Sequence, residues 1–222
     1  MEKNKIAIVI PAFNEEKTII SVILKAKKYG VPIVINDGST DRTEKLLLRH
    51  NVNVRKNTKN MGYHFSIKKG IKYAYSKNYK YIVTYDADGQ HKIADLKKTI
   101  EYLKKNDLVY TERNKLGRFS EKIFSMLSNT LFKVEDPLSG LKGYKSNIFL
   151  NYKFNFNENL FGSEILINSI NRNYKIKKFN INCNTRKDKS RIGNSLLIDI
   201  KIIMSSLLLI KKYFVDKFYI WI

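Results

Sequence analysis

The chain has 222 residues, 43% of them hydrophobic and 28% charged, which suits one folded α/β domain with a short addition and excludes wholesale disorder. Its single cysteine, Cys183, excludes a disulfide framework or a cysteine-built zinc site within one chain and fits a reducing, cytoplasmic setting. Lysine and arginine number 42 against 20 aspartate and glutamate, a net charge of +22 that attracts polyanions (nucleic acid, anionic lipid or phosphorylated substrates) without choosing among them.

The apolar run at 6–10 ends at Pro11 with no small-residue cleavage pattern, so it predicts a first strand and not a signal peptide. Helical periodicity follows at 17–28, a strand at 31–35, a helix at 43–49 capped by Thr40 or Asp41, and a strand at 52–54. A helix at 63–76, a strand at 79–85, a helix at 94–105, a strand at 108–111 and a helix at 118–132 complete the alternation. This pattern predicts an α/β fold: an open, Rossmann-like, mostly parallel sheet with helices on both faces. After the basic run TRKDKSRIGNS the composition turns aliphatic and aromatic, which divides the chain into a main domain at 1–194 and an appendage at 195–222.

In such sheets ligands bind beyond the carboxyl ends of the strands, where PAFNEE, NDGSTD and DADGQH all fall. Asp86, Asp88 and Gln90 occupy alternate positions at a strand end, so in extended geometry they face one side and can hold a hard cation, Mg²⁺ or Mn²⁺, completed by phosphate oxygens. Asp-Ala-Asp-Gly is equally good turn chemistry. Asp37 and Glu15 can accept hydrogen bonds from a base or ribose, or serve as cap and solvated carboxylate. His91 has three readings, as a metal ligand, a phosphate contact or a turn cap, while His50 and His64 read as ordinary helix and loop residues.

Taken in order, PAFNEE, NDGSTD, the N-M-G at 60–62, DADGQH, the D-P-L-S-G at 136–140, F-G-S-E and S-R-I-G-N-S resemble the family-2 inverting glycosyltransferases of GT-A fold. The dolichyl-phosphate mannose synthase and polyprenyl-phosphate glycosyltransferase group is the most similar. The likeness covers about residues 5–195. It implies that Pro11, Ala12, Phe13, Glu15, Asp37, Gly62 and Asp86 line the nucleotide-sugar pocket, and that Asp86, Asp88 and Gln90 hold Mg²⁺ or Mn²⁺. It further implies that Arg191, Gly193 and Ser195 close over the donor diphosphate. Arg113, Ser139 and Lys142 would meet the acceptor phosphate, with Lys142 where the family's Ser-Gly-x-Arg pattern has arginine. Tyr63 and His64 stand where many relatives have a Lys-Gly pair.

The chemistry so implied is one displacement with inversion, in which Asp88 and Arg113 serve the leaving diphosphate and the acceptor. A lipid phosphate acceptor is already anionic and needs no base. A sugar hydroxyl does, and Asp136 or Glu164 is then the candidate, although Asp136 also reads as a turn residue and Glu164 as a cap or a lysine's partner. On a helical wheel Leu196, Ile200, Ile203, Met204, Leu207, Phe214 and Phe218 gather opposite Asp199, Lys201, Ser205, Lys212 and Asp216. The longest uncharged apolar run there, 202–210, is too short to span a bilayer. Two outcomes are open for this helix: lying in a membrane interface on the cytoplasmic side, or packing on the domain or on a second copy in a homo-oligomer. Nucleic acid is not expected as a partner, since the chain has no zinc spacing, no RNA-recognition aromatic motif and an acidic rim.

Overall fold

The computed structural model describes residues 2–150, 160–184 and 196–219, with the side chains of the last four left aside. After a 3₁₀ turn at Lys3–Lys5 the order is β1 (Ile6–Ala12), α1 (Ile19–Ala26), β2 (Val31–Asn36), α2 (Thr43–Arg49), β3 (Val54–Lys56) and α3 (Tyr63–Ser76). Then come β4 (Tyr81–Thr84), α4 (Ile93–Leu103), β5 (Leu108–Arg113), α5 (Phe119–Phe132), β6 (Lys142–Lys145), α6 (Phe161–Asn171), β7 (Ile176–Ile181) and α7 (Leu196–Tyr219). The strands form one sheet in the order β3-β2-β1-β4-β6-β5-β7, parallel except for β6, which runs against β4 and β5. The expected open, mostly parallel α/β architecture is what the chain adopts.

β1 shows why IAIVI reads as unbroken hydrophobicity. Ala7 and Val9 enter the layer shared with α3, α5 and α6, whereas Ile6, Ile8 and Ile10 enter the layer shared with α1 and α4, so both faces are buried. The strand also continues through Pro11, two residues beyond expectation. The carbonyl of Ala12 accepts the Asp37 N–H on the β2 side and that of Val9 accepts the Tyr85 N–H on the β4 side. Alternation therefore points the nitrogen of Pro11 toward β4, whose pairing has stopped at Thr84, and no ladder bond is lost.

β3 begins two residues later than its apolar pattern suggested, because Val54–Lys56 is the part that pairs with Val34–Asn36. β6, β7 and α6 carry no clear periodic signal. β6 is four residues, and β7 is an edge strand with exposed Lys177 and Lys178, while α6 is buried nearly all round. The antiparallel run of β6 sets Lys142 beside Thr84, which brings the 136–142 segment to the rim where the parallel strands end.

α7 docks on α5 and α6 and contributes Leu209 to the core. It does so with the side of the wheel that carries Asp199, Ser205 and Lys212. Asp199 accepts a short bond from the Ser120 hydroxyl, Ser205 and Ser206 are buried, and the Lys212 ammonium lies 2.6 Å from Glu164 Oε1. The apolar side points outward: Leu197 is 75% exposed and Met204 55%, with Leu196, Ile200, Leu207, Leu208 and Phe214 also exposed. Phe119 and Met126 of α5 extend this exposed surface.

Candidate active site

Three loops are stitched together at the rim. Asn14, in left-handed conformation (φ 56°), accepts the Thr40 N–H at 2.8 Å through its side-chain oxygen and donates its own N–H to Ser39 Oγ at 3.0 Å. The Glu15 N–H donates to Thr43 Oγ1 at 2.8 Å, and Asp41 Oδ1 accepts the Thr43 N–H at 2.9 Å, although the N-cap of α2 is neither Thr40 nor Asp41 but Arg42, which makes no side-chain cap bond. Pro11 and Ala12 lie buried within β1, Phe13 and Glu15 in the loop after it.

Asp37, 3% exposed at the end of β2, organises the third loop. Its Oδ1 accepts from Asn57 Nδ2 at 2.7 Å and Met61 N–H at 2.9 Å, and its Oδ2 from Gly62 N–H at 2.8 Å. A carboxylate read from sequence as a contact for a base is thus first the clamp that folds 57–62 over the rim. Gly38 (φ 69°) must be glycine here, since a Cβ would lie 2.6 Å from the Lys59 carbonyl carbon.

The clamped loop delivers Tyr63, the first residue of α3, to the metal motif. Its hydroxyl donates to Asp86 Oδ1 at 2.8 Å, and His91 Nε2 stands 3.0 Å from Asp86 Oδ2. Burial and then the Asp86 charge raise the Tyr63 hydroxyl well above its ordinary value, so it stays a donor. Burial alone would push His91 down, but the bond to Asp86, with Cys183 next, raises it to about 10. His91 thus turns Nε2 to Asp86 and Nδ1 to Cys183 Sγ, 4.0 Å away. It is a buried cationic donor that, with Tyr63 and against the cost of burial, holds the Asp86 carboxyl below its usual range.

Asp86, Asp88 and Gln90 do not alternate along a strand: β4 ends at Thr84 and the motif is a turn, closed by Gly89 at φ 75°. Sheet pairing is lost there because β1 and β6 part from β4 at the rim. Asp88 Oδ1 accepts the Gln90 N–H at 2.9 Å, and Gln90 Nε2 reaches the Asn184 carbonyl at 3.3 Å. Among the described residues no three His, Cys, Asp and Glu side chains cluster in ligating range. The donors still fit a hard divalent cation. They are oxygens, and each Asp86 oxygen keeps a lone pair beyond its bond to Tyr63 or His91.

The 136–142 segment closes the other side. Arg113, at the end of β5, donates from Nε to Asp136 Oδ2 at 2.6 Å and from a terminal nitrogen to Oδ1 at 3.0 Å, and Glu121 lies 3.6 Å away. This pairing lifts the guanidinium above its ordinary value despite burial. Asp136, 2% exposed, thus serves as Arg113's counter-ion. Glu164, 1% exposed, pairs with Lys212, so of its alternatives the lysine partner holds. Ser139 shares a 2.6 Å hydrogen bond with Thr111, and its carbonyl accepts from Lys142 Nζ. Lys142 is 3% exposed, and burial lowers it to about 8.

Beside Lys142 is a small cavity of about 10 Å³, lined by Tyr63, His64, Tyr144, Gly162 and Ser163. Tyr144 Oη and His64 Nδ1 make no hydrogen bond within the described residues. Burial, then Lys142 and Lys201, lower His64 to about 4, so it is a neutral wall of the cavity rather than an ordinary loop residue. Asn57 and Gly140 were not read as site residues, and Tyr63 and His91 were singled out without the bonds to Asp86 that they make. The signal for Gly140 lay only in its place within PLSG. Arg191, Gly193 and Ser195 lie outside the described residues.

An uncharacterized protein of Methanocaldococcus jannaschii is 32% identical over 161 residues, 65% of this chain and 66% of its own. UDP-N-acetylglucosamine–dolichyl-phosphate N-acetylglucosaminyltransferase of Methanococcus voltae is 32% identical over 120 residues, 46% of this chain and 48% of its own. The matches span 45% to 66% of the length of such relatives. Glucosyl-3-phosphoglycerate synthase of Mycobacterium tuberculosis, solved with Mn²⁺, uridine diphosphate and glucosyl-3-phosphoglycerate, superposes with a TM-score of 0.73 at 21% identity, covering 91% of this chain and 78% of that one. That likeness is one of fold. The description "glycosyl transferase family 2" matches residues 7–159, which include the PAFNEE, NDGSTD, DADGQH and PLSG loops, and the chain belongs to that family.

Proposed function

We propose that the chain is a metal-dependent inverting glycosyltransferase that moves a sugar from a nucleotide-diphosphate sugar to a polyprenyl phosphate of dolichyl type, working at a membrane surface. Family membership supports the transfer, and the solved relative's Mn²⁺ and uridine diphosphate support the donor class. A cation held by Asp86, Asp88 and Gln90 would neutralise the diphosphate as it leaves. Asp37, through the loop it clamps, shapes the nucleotide side, while Arg113 and Lys142 bring positive charge to the acceptor side.

The observation that carries the acceptor is the state of the two candidate bases. Both oxygens of Asp136 face Arg113, and the buried Glu164 is tied to Lys212. Each carboxylate is thus already paired with a cation, and a phosphate oxygen needs no base, which supports the phosphate acceptor. The dolichyl-phosphate acceptor named for the Methanococcus voltae relative points the same way. The test is incubation with a panel of nucleotide sugars, Mg²⁺ or Mn²⁺ and polyprenyl phosphate. Glycolipid formation is expected, and transfer only to soluble glycans would overturn the acceptor reading.

Lys142 gives this reading a pH signature. Its ammonium is charged below about 8 and neutral above, so transfer should decline roughly tenfold per unit on the alkaline side. Lys142→Arg, whose charge does not titrate there, should remove that limb. A profile unchanged by the substitution would take Lys142 out of the acceptor site.

The membrane part rests on α7. None of the described helices is long and apolar enough to cross a bilayer, yet α7 turns Leu196, Leu197, Leu207 and Leu208 outward, beside exposed Lys201 and Lys211. That arrangement suits the headgroup boundary of an anionic leaflet. Replacing Leu197 and Met204 by Glu should cut cosedimentation with anionic vesicles at least several-fold while leaving the melting temperature little changed, because both side chains are exposed for more than half of their surface. Undiminished vesicle binding would reject the helix as the contact.

A further inference from the structure

We infer that Tyr63 is a positioning residue for cation binding: its hydroxyl locks the carboxylate of Asp86 in the orientation a divalent ion requires. The inference rests on the proposed metal role of Asp86 and Asp88 and adds a residue to it. Tyr63 is the only described side chain besides His91 with a hydrogen bond to Asp86 given by the structure, one to each oxygen, at 2.8 and 3.0 Å. Two donors on opposite oxygens stop the carboxylate from rotating about its Cβ–Cγ bond. One donor alone leaves it free to swing.

The position of Tyr63 is itself fixed from elsewhere. Gly62, at φ 96°, turns the chain into α3, and its N–H is held by Asp37 at the end of β2. The Met61 N–H and the Asn57 amide are held by the same carboxylate. The Tyr63 ring stands edge-on to His64, with centroids 5.3 Å apart and planes at 88°, which restrains it from the side. The hydroxyl is thus carried to Asp86, beyond β4, by a tether anchored at the end of β2, two strands away. A hydrogen bond to a metal-binding carboxylate orients it, and losing such a partner typically lowers metal affinity by about 10–100-fold.

The experiment is Mn²⁺ binding to the protein alone, followed by electron paramagnetic resonance, for the wild type, Tyr63→Phe and Tyr73→Phe. Tyr73 is the control, since its hydroxyl bonds Arg55 away from the rim. Tyr63→Phe should weaken Mn²⁺ binding about tenfold with a melting temperature like that of the wild type, and Tyr73→Phe should bind as the wild type does. Equal or tighter binding by Tyr63→Phe overturns the inference while leaving the metal site standing. A Tyr63→Phe protein without a melting transition rejects it too, because the residue would then be structural. A wild type that binds no Mn²⁺ removes the metal reading and this inference together.

Discussion

Gly140→Ala is expected to yield a folded protein whose transfer rate, as kcat/KM, falls by about a hundredfold or more. A Cβ at this position would sit 2.1 Å from Asp86 Oδ2 and 2.6 Å from its Cγ, far inside contact distance. The carboxylate is the end of a side chain and can move, so the backbone need not break. Moving it, however, separates Asp86 from Tyr63, from His91 or from both, and displaces a proposed metal ligand by an ångström or so. Misplacement on that scale in a reacting assembly costs on the order of a hundredfold. Steady-state kinetics beside a melting curve checks it. Near-normal transfer by the alanine variant would mean that the orientation of Asp86 does not matter to catalysis.

Asp136→Ala is expected to destabilise the fold by about 3 kcal/mol, because it removes a 2%-exposed carboxylate and leaves the Arg113 guanidinium without its bidentate partner. The low end of the range for broken buried pairs applies. Arg113 keeps some solvent contact, and Glu121 remains 3.6 Å away. For a chain of this size the melting temperature should drop by roughly 6–12 °C. The result also separates two roles. A counter-ion predicts lost stability together with weakened acceptor binding, read as a raised KM. A general base predicts a collapsed kcat at unchanged melting temperature, with loss of the acid limb of the pH profile. The second pattern would restore the sugar-hydroxyl reading.

The parallel half of the sheet was legible because each of its inner strands is buried on both faces. Ile6–Ile10 and Val31–Ile35 therefore show as unbroken apolar runs, and α2 and α3 came out at their observed ends. β6 was not legible. Lys142 and Lys145 bracket Gly143 in a four-residue strand, and only pairing to β4 and β5 makes such a sequence a strand. The loops were legible as a common rim, since parallel strands put their carboxyl ends together, but the bonds made there were not. Asp37 was read as a ligand contact and is first the clamp of a loop. His91 was read as a metal ligand, a phosphate contact or a turn cap, and in the fold it is a donor to Asp86.

The sequence by itself determined the α/β class, the family and the loops that carry the site, because alternation of buried strands with amphipathic helices and the order of motifs are properties of the chain read in one dimension. Tertiary structure alone decided which charges neutralise one another: Arg113 with Asp136 is a pair 23 positions apart, and Glu164 with Lys212 one 48 apart. It also decided which way α7 faces. A helical wheel gives two sides but not the partner, and here α5 and α6 offer Ser120 and Glu164, so Asp199, Ser205 and Lys212 turn inward with Leu209 while Leu196, Leu197, Leu207 and Leu208 are left outside. The physical reason is common to both. A buried charge is tolerable only beside its opposite, and where that opposite lies in space cannot be read from position along the chain.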